Sequence, residues 1–89
     1  MRKFIDDDEG YEKWLEENPR RYAVNCERSL RRSYLKLHRA FCDTISLRSA
    51  KAEHWTKDYI KVCSNDIVEL SNWAKTEVRG KLDRCEFCM

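Results

Sequence analysis

The chain has 89 residues, enough for one small domain but too few to bury a large apolar core, so packing alone leaves it marginally stable. It is 42% hydrophobic and 38% charged, the balance of a globular domain with a highly charged surface, and no apolar run is long enough to span a bilayer. Two glycines exclude a glycine-rich phosphate loop, and no Ser-His-Asp set or pair of catalytic carboxylates can be assigned. The opening MRKFIDDDEG lacks the apolar core of a secretory signal, so a cytoplasmic protein with reduced thiols is expected. Five cysteines, an odd number, also argue against a closed disulfide framework. The net charge of +2 is unevenly spread. Residues 1–19 hold three basic against seven acidic groups, residues 20–57 ten against three, and residues 58–89 five against six. Only the middle third is an electrostatic candidate for an anionic partner.

Asp6, Asp7, Asp8 and Glu9 place carboxylates where a helix begins, and Tyr11, Trp14 and Leu15 follow at helical spacing. Asn18-Pro19 ends the run, so a short amphipathic helix is expected over 8–18, with Phe4 or Ile5 stapling its entry. Tyr22, Val24 and Cys26 alternate as in a strand, and Tyr34 to His38 alternates again. The basic link Arg28-Ser29-Leu30-Arg31-Arg32-Ser33 makes the two a hairpin. Asp43 to His54 lacks periodicity and reads as an exposed loop, with a strand fragment at Thr44-Ile45-Ser46 at most. Trp55 to Cys63 is the third strand, with Ile60 and Val62 on one face and Tyr59, Lys61 and Cys63 on the other. Asn65 or Asp66 caps a second helix over about 65–79, whose stripe is Ile67, Leu70, Ala74 and Val78, and Gly80 is its stop. The expected architecture is α+β. A small antiparallel three-stranded sheet carries an N-terminal and a C-terminal helix, in a single domain over 1–89 with its tail tied back by zinc.

That tie rests on four residues. His38 and Cys42 form an H-x3-C pair, and Cys85 and Cys88 form a C-x2-C pair near the end. One imidazole and three thiolates complete a tetrahedral Zn2+ shell with no open position, which defines a structural rather than a catalytic site. A C-x2-C pair can also be a redox couple, but such pairs usually open a helix, and none is expected after Cys85. The remaining alternative is an unrelated CxxC beside an ordinary strand-end histidine.

The stretches HRAFC and RCEFC resemble the metal-binding module of the Ada type, in which a CxxxC or HxxxC pair is completed by a CxxC following a helix. That resemblance lies at the four ligands and implies zinc at His38, Cys42, Cys85 and Cys88. The chain also resembles a family of small uncharacterised bacterial and phage proteins, through Trp14–Pro19, Tyr34–Cys42, Trp55–Cys63 and the terminal CxxC. This second resemblance covers most of the chain.

Arg28, Arg31, Arg32, Lys36 and Arg39 lie around the hairpin, with Arg20 and Arg21 before it. Arginines match phosphate bidentately, and Tyr22, Tyr34 or Trp55 could stack on bases. The bland alternative is a charged hairpin balanced by the acidic first helix. Three functions follow from the sequence. The first is a non-enzymatic zinc module that binds DNA or RNA, or assists a nucleic-acid-processing protein. The second is a protein-interaction module, such as a phage-type inhibitor docking on a host enzyme. The third and weakest is a thiol enzyme built on Cys63 or the CxxC, with His54 as base.

Overall fold

The computed structural model describes residues 1–46 and 54–89. Its elements are β1 (Arg2–Phe4), α1 (Asp8–Glu17), β2 (Tyr22–Glu27), β3 (Leu35–Arg39), β4 (Tyr59–Ser64), α2 (Ile67–Trp73), a π-helical continuation of α2 over Ala74–Val78, and β5 (Asp83–Arg84). The acidic run serves three separate structural ends. Asp6 pairs with Arg28. Asp7 caps α1 by accepting from the Gly10 N–H at 2.9 Å. Asp8 accepts from the Trp55 and Thr56 N–H groups and the Thr56 hydroxyl, at 3.1, 2.8 and 2.6 Å. Partial burial raises the Asp8 pKa, but these hydrogen bonds outweigh it and hold the carboxyl below its usual range.

The sheet is mixed and five-stranded, in the order β1-β4-β2-β3-β5. Neighbours are antiparallel except β3 and β5, which run parallel. Register follows the alternation: Val24 lies opposite both Leu37 and Val62, and Ala23 opposite His38 and Cys63. Two apolar clusters result. Val24, Cys26, Leu35, Leu37, Ile60 and Val62 pack against Leu70, Trp73, Ala74 and Val78 of the second helix. Ala23, Cys63 and Phe4 pack against Tyr11, Trp14 and Leu15 of α1, together with Ala40, Cys42, Ile45, Trp55 and Cys85. The central strands are thus buried on both faces, with one helix on each side.

The expected α+β class and two helices stand, but the sheet has five strands rather than three and is not wholly antiparallel. β1 and β5 span three and two residues, too few for any periodicity to register. Phe4 is a buried strand residue rather than a helix staple, while Ile5 is largely exposed. The second strand of the hairpin begins one residue later than expected, at Leu35, and the third only at Tyr59. Thr44, Ile45 and Ser46 form a turn rather than a strand fragment. Ile45 is buried, with its carbonyl accepting from the Tyr11 hydroxyl at 2.6 Å. The rest of the expected exposed loop, 47–53, lies outside the described residues.

Gly80 has a different role from the one its position suggests. The left-handed residue ending the helix is Arg79, at φ 60°. Gly80 instead passes so close to the hairpin that a Cβ would lie 2.7 Å from Leu35 Cδ1 and 2.9 Å from the Arg32 carbonyl oxygen. Gly80→Ala is expected to cost about 1–3 kcal/mol in urea denaturation, because backbone must move to admit a methyl group.

Lys61 is buried on the α1 side of β4, donating to the Trp55 carbonyl with its ammonium 5.6 Å from the Tyr11 ring centre. Burial pushes its pKa down to about 8 from 10.5, against the opposing effect of the Cys26 and Cys63 thiols. Between those values the unfolded chain binds the extra proton, so this group raises stability as pH rises and penalises the fold fully below about 8. Lys61→Met is therefore expected to be more stable than the parent by about 1–2 kcal/mol at neutral pH. That advantage should shrink towards pH 10.5, as read by paired denaturation curves.

Candidate metal centre

β3 carries Leu35 and Leu37 to the α2 side, so its alternation sends His38 to the α1 side. The turn after β3, closed by the Cys42 N–H on the Arg39 carbonyl at 3.0 Å, brings Cys42 back beneath the strand end. β5 then lies parallel to β3, and the Cys85 N–H donates to the Leu37 carbonyl at 2.8 Å, which sets Cys85 alongside. A final turn, Met89 N–H to Cys85 carbonyl at 3.0 Å, returns Cys88 to the same place.

The ligand atoms of His38, Cys42, Cys85 and Cys88 all lie within 4.8 Å of one another. The Cys42 and Cys85 sulfurs are 4.0 Å apart, near the ~3.8 Å that tetrahedral corners at about 2.3 Å from zinc require. All five cysteines are free thiols. Two sulfurs accept backbone N–H groups, Cys85 from Phe87 at 3.4 Å and Cys88 from Arg39 at 3.3 Å, which favours thiolate. Thr44 Oγ1 sits 3.1 Å from the Cys42 sulfur and 3.4 Å from His38 Nδ1, a shared outer contact that orients both. His38 Nε2 is buried with no hydrogen-bond partner.

Burial, with Lys61 and Lys36 adding to it, pushes the His38 pKa down to about 4, so the imidazole is neutral and able to ligate at pH 7. Among the sulfurs, burial raises Cys85, but the N–H of Phe87 and the neighbouring thiols more than offset this and its pKa falls. Cys88 is pushed up to about 12 by burial and by its neighbour Cys42, the Arg39 N–H notwithstanding. Three clustered thiolates repel one another, and a divalent ion is what would let all of them ionise together. An orphaned ring nitrogen, three converging sulfurs and N–H support on two of them fit zinc in a closed shell. Among the described residues this is the group whose donors converge as a metal site requires.

The other candidate residues are dispersed. Arg28 pairs with Asp6, Arg31 with Glu27 at 3.4 Å, and Lys36 with Asp83 at 2.6 Å. Arg39 donates through Nε to the Cys88 carbonyl at 3.2 Å and stacks over Tyr22, while Arg32 is exposed. Cys63 is fully buried, and burial pushes its thiol up to about 12, while Cys26 rises to about 11 for the same reason. His54 is exposed at 3.4 Å from Asp8. Residues 86–88 form a turn, and no helix among the described residues is long and apolar enough to cross a membrane. Sequence reasoning missed Thr44, whose only signal is its place two residues after a ligand, and Asp8, whose partners are far along the chain. Comparison with protein-family models, curated proteins and solved structures finds no match.

Proposed function

We propose that this is a non-enzymatic binding module whose fold is locked by a structural Zn2+ ion at His38, Cys42, Cys85 and Cys88. The observation that carries the reading is the convergence of four donors of the right types within 4.8 Å. One imidazole and three thiolates fill every tetrahedral corner, so no position remains for substrate or activated water. The resemblance to the Ada-type module supports the same ion. The zinc supplies a cross-link that reduced thiols in a cytoplasmic setting would not provide as a disulfide. Deeply buried, weakly acidic Cys63 and Cys26 speak against a thiol nucleophile.

For the partner we propose DNA or RNA, on the excess of basic residues between 20 and 57. Arg32 and the exposed faces of Arg28, Arg31, Lys36 and Arg39 are the hairpin groups that would approach phosphate. Carboxylate partners on Arg28, Arg31 and Lys36 reduce the local charge that phosphate would meet. Co-purification of a host protein in place of nucleic acid would favour the inhibitor alternative. Elemental analysis of freshly purified folded protein tests the metal directly. One zinc per chain is expected, and a content near zero would overturn the site.

A further inference from the structure

The geometry points to a binding face for single-stranded nucleic acid on the two knuckles themselves, with Phe41 and Phe87 as stacking platforms and Arg20 and Arg21 as phosphate contacts. This deepens the reading above and depends on its metal only for the rigidity of the knuckles. Phe41 precedes Cys42 and Phe87 precedes Cys88, so each ring stands beside a ligand. Phe41 is 47% and Phe87 78% exposed, in a chain whose other phenylalanine is buried. Both line one cleft of about 390 Å³, whose floor includes Cys42, Thr44 and Cys88. Neither ring has an aromatic or cation–π partner among the described residues, and two presented π faces are what unstacked bases need.

Charge supplies the second half. The Ala40 N–H donates to the Arg21 carbonyl at 2.8 Å, so the Arg20-Arg21 pair runs beside the strand end that presents Phe41. Both side chains are exposed and have no carboxylate partner among the described residues, unlike Arg28, Arg31 and Lys36. Arg39 is held at the cleft by the Cys88 carbonyl and by Tyr22. Asp43, which lines the cleft, and Glu86 of the second knuckle set two carboxylates against Arg20, Arg21 and Arg39 around it. Exposed aromatic faces with unpaired arginines beside them match bases and phosphates, and stacking requires single strands.

The test is fluorescence anisotropy of a labelled oligothymidylate, about 12 nucleotides long, and of a duplex of equal length, titrated with the zinc-loaded full chain at about 50 and 200 mM salt. The single strand is expected to bind more tightly. Phe41→Ala/Phe87→Ala should weaken it at least about tenfold with zinc content and melting temperature unchanged. Arg20→Ala/Arg21→Ala should flatten the salt slope by about 1.4. Arg28→Ala/Arg31→Ala/Arg32→Ala should weaken single strand and duplex by the same factor, because those groups contact phosphate and not bases. Absence of binding at low salt, preference for the duplex, or binding that survives the phenylalanine pair and is lost with the hairpin arginines would each overturn the inference. So would a protein that occupies this face in the absence of any strand binding. Folded, strand-binding protein without zinc would instead overturn the metal reading and leave this face standing.

Discussion

Stripping zinc from the loaded protein is expected to collapse the domain, lowering its melting temperature by more than about 20 °C in thermal circular dichroism. A chain this size retains only a few kcal/mol of net stability, whereas zinc binding to small thiolate-imidazole sites contributes about 10–16 kcal/mol. The metal's share would fall where the backbone is weakest. β5 has two residues, is exposed, and is attached along one side only, through Leu37 and its neighbours. Without the ion, the buried Cys85 and half-buried Cys88 would lie in a tail held by the short β5 pairing, the Lys36–Asp83 ion pair and the Arg39 contact to the Cys88 carbonyl. Cys85→Ser and Cys88→Ser should therefore each cost at least about 4 kcal/mol and abolish stoichiometric zinc. Cys26→Ser, on the opposite face of the sheet, should cost about 1–3 kcal/mol and leave the zinc content at one. A chelated protein that melts within a few degrees of the loaded form would refute a structural role.

Tyr11→Ala should be nearly as damaging, at about 3–5 kcal/mol, and should leave a folded population only in the presence of zinc. Tyr11 is fully buried and touches four parts of the fold at once. Its ring lies 5.8 Å from Phe4 of β1 and 6.4 Å from Trp55, with the Lys61 ammonium 5.6 Å away. Its hydroxyl donates to Ile45 in the segment just after Cys42. Truncation opens a cavity between helix and sheet and orphans the Ile45 carbonyl. Tyr11→Phe separates these effects: it keeps the ring, loses one buried hydrogen bond and should cost about 1–2 kcal/mol. Denaturation curves on both variants at saturating zinc would measure the difference, and equal costs would show that the ring itself contributes nothing.

Much of this arrangement could be read from residue types and spacing. Tyr11, Trp14 and Leu15 marked α1, Val24 and Cys26 marked β2, and Ile67, Leu70 and Ala74 marked the second helix, because each run buries one face and so repeats with the period of its backbone. The four clustered donors were legible because ligand spacing is a local property of each knuckle. Three things were not. Arg2–Phe4 and Asp83–Arg84 are strands only because β4 and β3 present free edges to them, which no local pattern encodes. The strand alternation places Lys61 only on a face with Tyr59 and Cys63, and its burial follows from Tyr11 and Trp55 closing over that side. The sequence left open whether the hairpin is a free basic patch or is balanced by acidic residues, and Asp6 and Asp83, distant in sequence, fold back onto Arg28 and Lys36.

The strand order has a kinetic consequence. Both outer strands join the sheet by pairing across most of the chain, Arg2 with Cys63 and Lys36 with Asp83, while the β2–β3 hairpin closes locally. Long loops close last, because their ends must find each other before any contact rewards the search. The four ligands are therefore expected to assemble only once β5 has docked, on the native side of the rate-limiting barrier. A metal that binds there leaves the refolding limb of a chevron plot almost unchanged and slows the unfolding limb. Bound zinc would then act as a latch on a finished structure, lengthening the lifetime of the native state rather than hastening its arrival.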